Sequence, residues 1–124
     1  MAKQEKDRYR QIVGAWGEHQ AAGFLLANGL QVLEKNYRTS EGEIDLIARD
    51  GDEIVFVEVK TRTNLNFGFP EEAVTEEKLE HLTTAAELYL LEYLEEQDWR
   101  IDVIAIQGKP GDESPEFEWF KDAR

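Results

Sequence analysis

At 124 residues, with 41% hydrophobic and 10% aromatic side chains, the chain can enclose one mixed core but not two, and it lacks the low hydrophobicity of disordered proteins. It has no cysteine, which removes disulfides, zinc–thiolate centres and cysteine nucleophiles; its first ten residues are charged, and its longest apolar stretch, 21–27, is far short of the roughly twenty residues a bilayer span needs, so a cytoplasmic protein without a membrane segment is expected. The net charge of −13 opposes phosphate binding, yet residues 1–62 carry nine basic and eleven acidic side chains against five and sixteen in 63–124, which places most of the acidity in the C-terminal half.

In chain order, residues 3–27 lack proline and show helical spacing of apolar and small residues, with Asn28-Gly29 as a stop signal. Residues 30–38 give a weak strand pattern that ends at the polar cluster 39–42. Two β-rich runs, 43–49 and 54–61, flank Asp50-Gly51-Asp52, the strongest hairpin signal in the chain. Residues 63–70 read as a loop. A second helix is expected from about Glu71 or Thr75 to Gln97, with Leu79, Leu82, Ala86, Tyr89 and Tyr93 on its apolar stripe. Residues 99–107 form a last core strand, followed by an acidic turn-rich stretch over 108–115. Phe117–Phe120 adds either a short edge strand or an aromatic patch. The order αβββαβ describes a single α/β domain over residues 1–124, its core spanning about 4–107 and an acidic tail 108–124.

The chemistry concentrates at the end of the second hairpin strand. Residues 54–60 are nearly all apolar, which makes Glu58 and Lys60 costly there unless they are paired or functional. Period two puts both on one face, and a hairpin register that sets Asp45 opposite Glu58, or one diagonal step away, adds a second carboxylate; Glu43 alternates onto that face as well. Carboxylates about 5 Å apart across strands can share one hard divalent cation. Lys60 would then orient the attacking water or balance charge growing on phosphorus, and Arg62 would hold a flanking phosphate. The alternative is a Glu58–Lys60 ion pair with Asp45 bonded to a backbone amide.

The sequence Gly42-Glu43-Ile44-Asp45-Leu46-Ile47, thirteen residues from Asp45 to Glu58, and Val57-Glu58-Val59-Lys60-Thr61-Arg62 resemble the PD-(D/E)xK nuclease superfamily, and within it the uncharacterised bacterial YraN-like group. Gly17-Glu18, Asn36-Tyr37-Arg38, Phe67-Gly68, residues 85–90 and 100–103 extend the likeness over most of 14–107. The resemblance implies a restriction-endonuclease-like αβββαβ core: a mixed central sheet flanked by helices. It further implies that Asp45, Glu58 and the Val59 carbonyl hold magnesium or manganese while Lys60 assists the nucleophile. Similarity to Holliday-junction resolvases suggests Glu18 as a further catalytic carboxylate; the alternative for Glu18 is a hydrogen bond to Asn36, Arg38 or Lys60. Arg38 and Lys78 join Arg62 as candidate phosphate contacts. Two departures stand out. Ile44 replaces the proline common before the aspartate, and Glu80-His81 follow Lys78 where relatives tend to be basic.

Other residues read as structural: His19 and His81 as exposed helical positions, Trp16, Trp99 and Trp119 as packing groups, Asp102 as a partner of Arg100 or of a strand-end amide. Lys3, Lys6, Arg8 and Arg10 alternate with Glu5 and Asp7, which suggests a helix surface laced with ion pairs, with phosphate contact as the lesser reading. The resulting expectation is a metal-dependent endonuclease acting on DNA in preference to RNA, with branched or structured substrates implied by the resemblance. A homodimer is needed if it cuts symmetric junctions. The competing expectations are a catalytically silent nuclease-like domain that binds nucleic acid or a protein, and an interaction module built on the glutamate-rich helix.

Overall fold

The computed structural model describes residues 3–63, 74–93 and 96–124. The 64–70 part of the expected loop, the alternative helix start at Glu71 and the Phe67-Gly68 pair lie outside the described residues. The elements are α1 (Lys3–Ala27), β1 (Gln31–Thr39), β2 (Gly42–Asp50), β3 (Glu53–Arg62), α2 (Glu76–Tyr93), β4 (Asp98–Gln107) and β5 (Glu116–Phe120). This is a mixed α/β fold with the expected αβββαβ order plus a fifth strand. No described helix is long and apolar enough to cross a membrane.

The stop after α1 works as its residues dictate. Asn28 Nδ2 donates to the Phe24 carbonyl, and Gly29 takes a φ of +88°, which costs glycine nothing. The hairpin turns tightly at Gly51, with φ +61° and a ladder from Asp50↔Glu53 to Leu46↔Val57. Asp45 and Glu58 are the first residues past the last pair of that ladder, Leu46↔Val57, so the expected direct pairing of the two does not form. α2 begins where Thr75 Oγ1 accepts the Lys78 amide at 3.1 Å. It ends at Tyr93, short of the expected Gln97, since residues 98–107 are already drawn into the sheet as β4. Tyr93, expected on the buried stripe, is exposed, and Ala85 packs in the core instead.

The sheet order is β1-β2-β3-β4-β5, antiparallel except for the parallel β3/β4 pair that the α2 crossover joins. Central β4 is buried throughout Ile101–Ile106. One face packs Leu46, Ala48, Val55, Val57, Ile104 and Ile106 against Ala21, Ala22 and Leu25 of α1. The other packs Ile54, Phe56 and Ile101 against Leu82, Ala85, Ala86 and Tyr89 of α2. The sheet continues into the stretch that reads as an acidic tail, where Phe117 of β5 stacks on Phe24 at 4.5 Å and Trp119 meets the same ring edge-on. The three tryptophans all pack against the two cores, as read.

Candidate active site

The β2–β3 ladder stops at Leu46↔Val57. Beyond it, residues 42–44 of β2 pair only with β1, and Glu58–Arg62 pair only with β4. The two central strands therefore part, and Asp45 and Glu58 stand at the apex of the opening. Side-chain alternation also breaks here: Ile44 faces the α2 core, whereas Leu46, two residues on, faces the α1 core. The half-buried Asp45 fills the gap left by the missing ladder bond, its Oδ2 accepting the Val59 amide at 2.8 Å. Glu18, on α1, is brought alongside because Gly17 packs directly on Thr61. A Cβ at Gly17 would lie 2.0 Å from Thr61 Oγ1, so only glycine permits this approach of helix to strand.

Glu18, Glu43 and Asp45 each place a carboxylate oxygen within 4.8 Å of the others. With its amide oriented to satisfy both ends, Asn36 Nδ2 donates to Glu18 Oε1 at 2.8 Å and to Glu43 Oε1 at 2.7 Å. Asn36 adopts φ +53°, a conformation asparagine tolerates better than most residues. Glu58, only 5% exposed, turns one oxygen toward two ammonium groups, Lys60 Nζ at 3.2 Å and Lys78 Nζ at 2.8 Å.

These contacts set the electrostatics. Burial, then the neighbouring Glu58 charge, pushes the Asp45 carboxyl up to about 7, against a lowering by the Val59 amide. Burial and Glu43 raise Glu18. Burial and the adjacent Lys78 lower Lys60, while Lys78, which burial alone would lower, is raised by its contacts with Glu58, Lys60 and Asp45 taken together. Concentrated oxygen donors that resist ionising together are what a hard divalent cation relieves, so the donor set fits magnesium or manganese.

Of the residues singled out in the sequence, Glu18, Asp45, Glu58, Val59, Lys60 and Arg62 line one cleft of about 610 Å³. The convergence comes by a different route from the one expected. Asp45 groups with Glu18 and Glu43, while Glu58 engages Lys60 and Lys78. The ion pair and the Asp45–amide bond of the alternative reading also form, within this same cluster, and Glu18 both joins the carboxylates and bonds Asn36. Val59 enters through its amide. Arg38 lies outside the cleft, 85% exposed and 3.6 Å from Glu43. Lys78 contacts Glu58 from the α2 side, where a second cavity of about 380 Å³ runs past Glu43, Glu58 and His81. His19 and His81 are exposed, as read. The bond of Asn36 to Glu18 is the alternative read for that glutamate, whereas its second bond, to Glu43, had no sequence signal.

A sequence model described as "Uncharacterised protein family UPF0102" matches residues 17–106. A UPF0102 protein of Beutenbergia cavernae is 49% identical over 100 residues, covering 80% of this chain and 85% of that protein. One of Herminiimonas arsenicoxydans is 43% identical over 92% of this chain and 87% of its own length. One of Dictyoglomus turgidum is 43% identical over 90% and 95%.

Proposed function

The chain belongs to the UPF0102 family, whose description states no activity, and we propose from its own residues that it is a divalent-metal-dependent endonuclease of the PD-(D/E)xK kind acting on DNA, with branched or structured DNA as the preferred class. The observation that carries this reading is the gathering of Glu18, Glu43 and Asp45 within 4.8 Å beside the Glu58–Lys60 pair, at the point where the central strands part. Magnesium or manganese held there by Asp45, Glu58 and their neighbours would supply Lewis acidity toward a phosphate oxygen and an activated water.

The protein's own groups have distinct parts. Asp45 is held in place by the Val59 amide, so its second oxygen remains available to a ligand. Glu58 fixes Lys60 at 3.2 Å, which places an ammonium beside the carboxylates, where negative charge grows as a phosphodiester is attacked. The lowered proton affinity of Lys60 suits a group that positions or exchanges a proton with water. The half-buried apex shields these interactions from bulk solvent, which strengthens them. The setting proposed is the cytoplasm, with two copies acting together if both strands of a symmetric junction are cut.

A second reading, a catalytically silent domain that binds nucleic acid or a protein, is favoured by the saturation of Glu58 Oε1 with two lysines and by the net charge of −13. The deciding experiment incubates single-stranded, duplex, flap and four-way-junction DNA with magnesium or manganese, comparing the wild type with Asp45→Asn and Lys60→Ala. Cleavage by the wild type, lost in both variants, supports the enzyme. Cleavage untouched by both substitutions rules out the assigned site, and no cleavage with retained binding selects the silent domain.

A further inference from the structure

Moving outward from the apex, the same cleft ends between two arginines on different elements, Arg10 of α1 and Arg62 of β3. Gly17 packs on Thr61 while Ala21 and Leu25 share a core with Val55 and Val57, so falling numbers on α1 accompany rising numbers on β3. Arg62 lies four residues beyond Glu58, ~13 Å along a strand. Arg10 lies eight residues before Glu18, ~12 Å along a helix. Both guanidinium-bearing positions line the cleft that holds Glu18, Asp45 and Glu58.

Neither arginine has a carboxylate within ion-pair distance among the described residues, and Arg62 Nε is buried without a hydrogen-bond partner there. The expected pair of Arg10 with Asp7, three residues before it, is not found among the described residues either. Between the arginines and the carboxylates the α1 wall includes Gly14, where an added Cβ would meet nothing within 4 Å. A cleft that carries carboxylates, has Tyr9, Val13 and Gly14 in its α1 wall and holds two arginines without an ion-pair partner among the described residues offers a path to an extended polyanion. A separation of ~12–13 Å matches about four stacked nucleotides at a rise of 3.4 Å, and fewer in an extended strand.

The geometry points to a phosphate subsite formed by Arg10 and Arg62, which grips the backbone of a nucleic-acid strand a few nucleotides away from the bond at the carboxylates. This rests on the nuclease reading and deepens it by assigning the strand's path, along α1 rather than across α2. It also locates a basic grip within a protein of strongly negative net charge.

The test measures binding of short labelled single strands, one DNA and one RNA of the same sequence, over a range of salt concentration, for the wild type, Arg10→Ala, Arg62→Ala, the double variant and Gly14→Leu. Each arginine removed is expected to weaken binding and to reduce the slope of log affinity against log salt by about 0.7. In cleavage assays the same variants raise KM and leave kcat unchanged. Gly14→Leu puts a better helix former where an added Cβ meets nothing within 4 Å, and is expected to keep the wild-type fold, checked by its melting temperature, and to weaken binding by obstructing the cleft. A loss of slope with either strand supports the subsite, since DNA and RNA share the phosphate. A wild-type slope in the double variant, or full affinity in a folded Gly14→Leu protein, overturns it. Arginine-dependent binding without any cleavage upholds the subsite and defeats the enzyme reading; cleavage with wild-type KM in the double variant does the reverse; no binding at all overturns both.

Discussion

The two ends of the sheet handle buried charge in opposite ways. At the hairpin end, Arg100 reaches Asp50 Oδ2 and Asp102 Oδ1, each at 3.0 Å, and also Glu53. Asp102, fully buried, accepts from Trp119 Nε1 at 2.8 Å and from the Asp122 amide at 2.9 Å as well. Each acid there has a cation or a donor, and Arg100 is raised because those three acids more than offset its burial. At the parted end, Glu18, Glu43 and Asp45 crowd together with one backbone amide, one asparagine and the exposed Arg38 as their partners, and burial with mutual repulsion drives the proton affinity of Glu18 and Asp45 up. One cluster is complete within the chain. The other keeps like charges together, which is the arrangement that a bound cation would relieve under the proposed function.

The contrast is broken most severely by Arg100→Met. It leaves Asp102 buried without its countercharge and is expected to cost about 3–5 kcal/mol of folding stability, read from urea denaturation. A loss under about 1 kcal/mol would mean that the hairpin-end cluster is not held by its arginine.

The next effect is a dependence on pH with the opposite origin. Asp45 is raised from 3.8 to about 7 in the folded protein, so its contribution to stability is fully present below about pH 4 and is lost as pH rises through 7. A rise of that size corresponds to roughly 4 kcal/mol. Asp45→Asn should remove that decline, making the variant more stable than the wild type at neutral pH, and manganese should restore stability to the wild type alone. Parallel stability curves for the two proteins between pH 4 and 7 would contradict the repulsion at the apex.

Catalysis sharpens the comparison further. Lys60→Ala is expected to lower the cleavage rate by about 100-fold, the scale for losing one preorganised electrostatic group, with oligonucleotide affinity retained. Arg100→Lys, at the other end of the sheet, should leave the rate per folded molecule unchanged. Equal rate losses in both would show that the two ends are not functionally distinct.

How much of this was legible in the sequence follows from which distances are local. The hairpin register was, because Asp50-Gly51-Asp52 fixes the turn and the apolar pattern fixes the faces, as far as the pair Leu46↔Val57 just before Asp45 and Glu58. The end of α1 was written in Asn28-Gly29, and the role of Asp102 in its neighbour Arg100. The parting of β2 from β3 was not legible. Period-two reasoning carries a strand forward unchanged, whereas alternation breaks at Asp45 and turns it toward Glu18 and Glu43. The contact of Lys78 with Glu58 depends on where the crossover lands α2, which spacing along the chain does not contain. The end of α2 was misplaced because Glu92, Glu96 and Gln97 are acceptable helix residues, and it is the pairing of Asp98 with Glu53 that starts the strand.

The smallest effect isolates Asn36, the one neutral side chain inside the carboxylate cluster. Its amide ties Oε1 of Glu18 and Oε1 of Glu43, while Oε2 of Glu43 faces Arg38 at 3.6 Å. A partner of this kind orients metal-binding carboxylates, and its removal typically weakens affinity by 10–100-fold. Asn36→Gly is the informative substitution, because glycine accepts φ +53° without strain and so removes the amide alone. Calorimetry should find manganese binding weaker by about ten-fold, the low end of that range for an exposed residue, with the melting temperature little changed. Asn36→Asp separates orientation from charge. It keeps the tolerance for the left-handed backbone but turns a donor into an acceptor, so it should weaken binding through splayed glutamates if orientation governs. Tighter binding in Asn36→Asp would mean that the cluster attracts the ion by net charge alone, with Asn36 holding nothing in place.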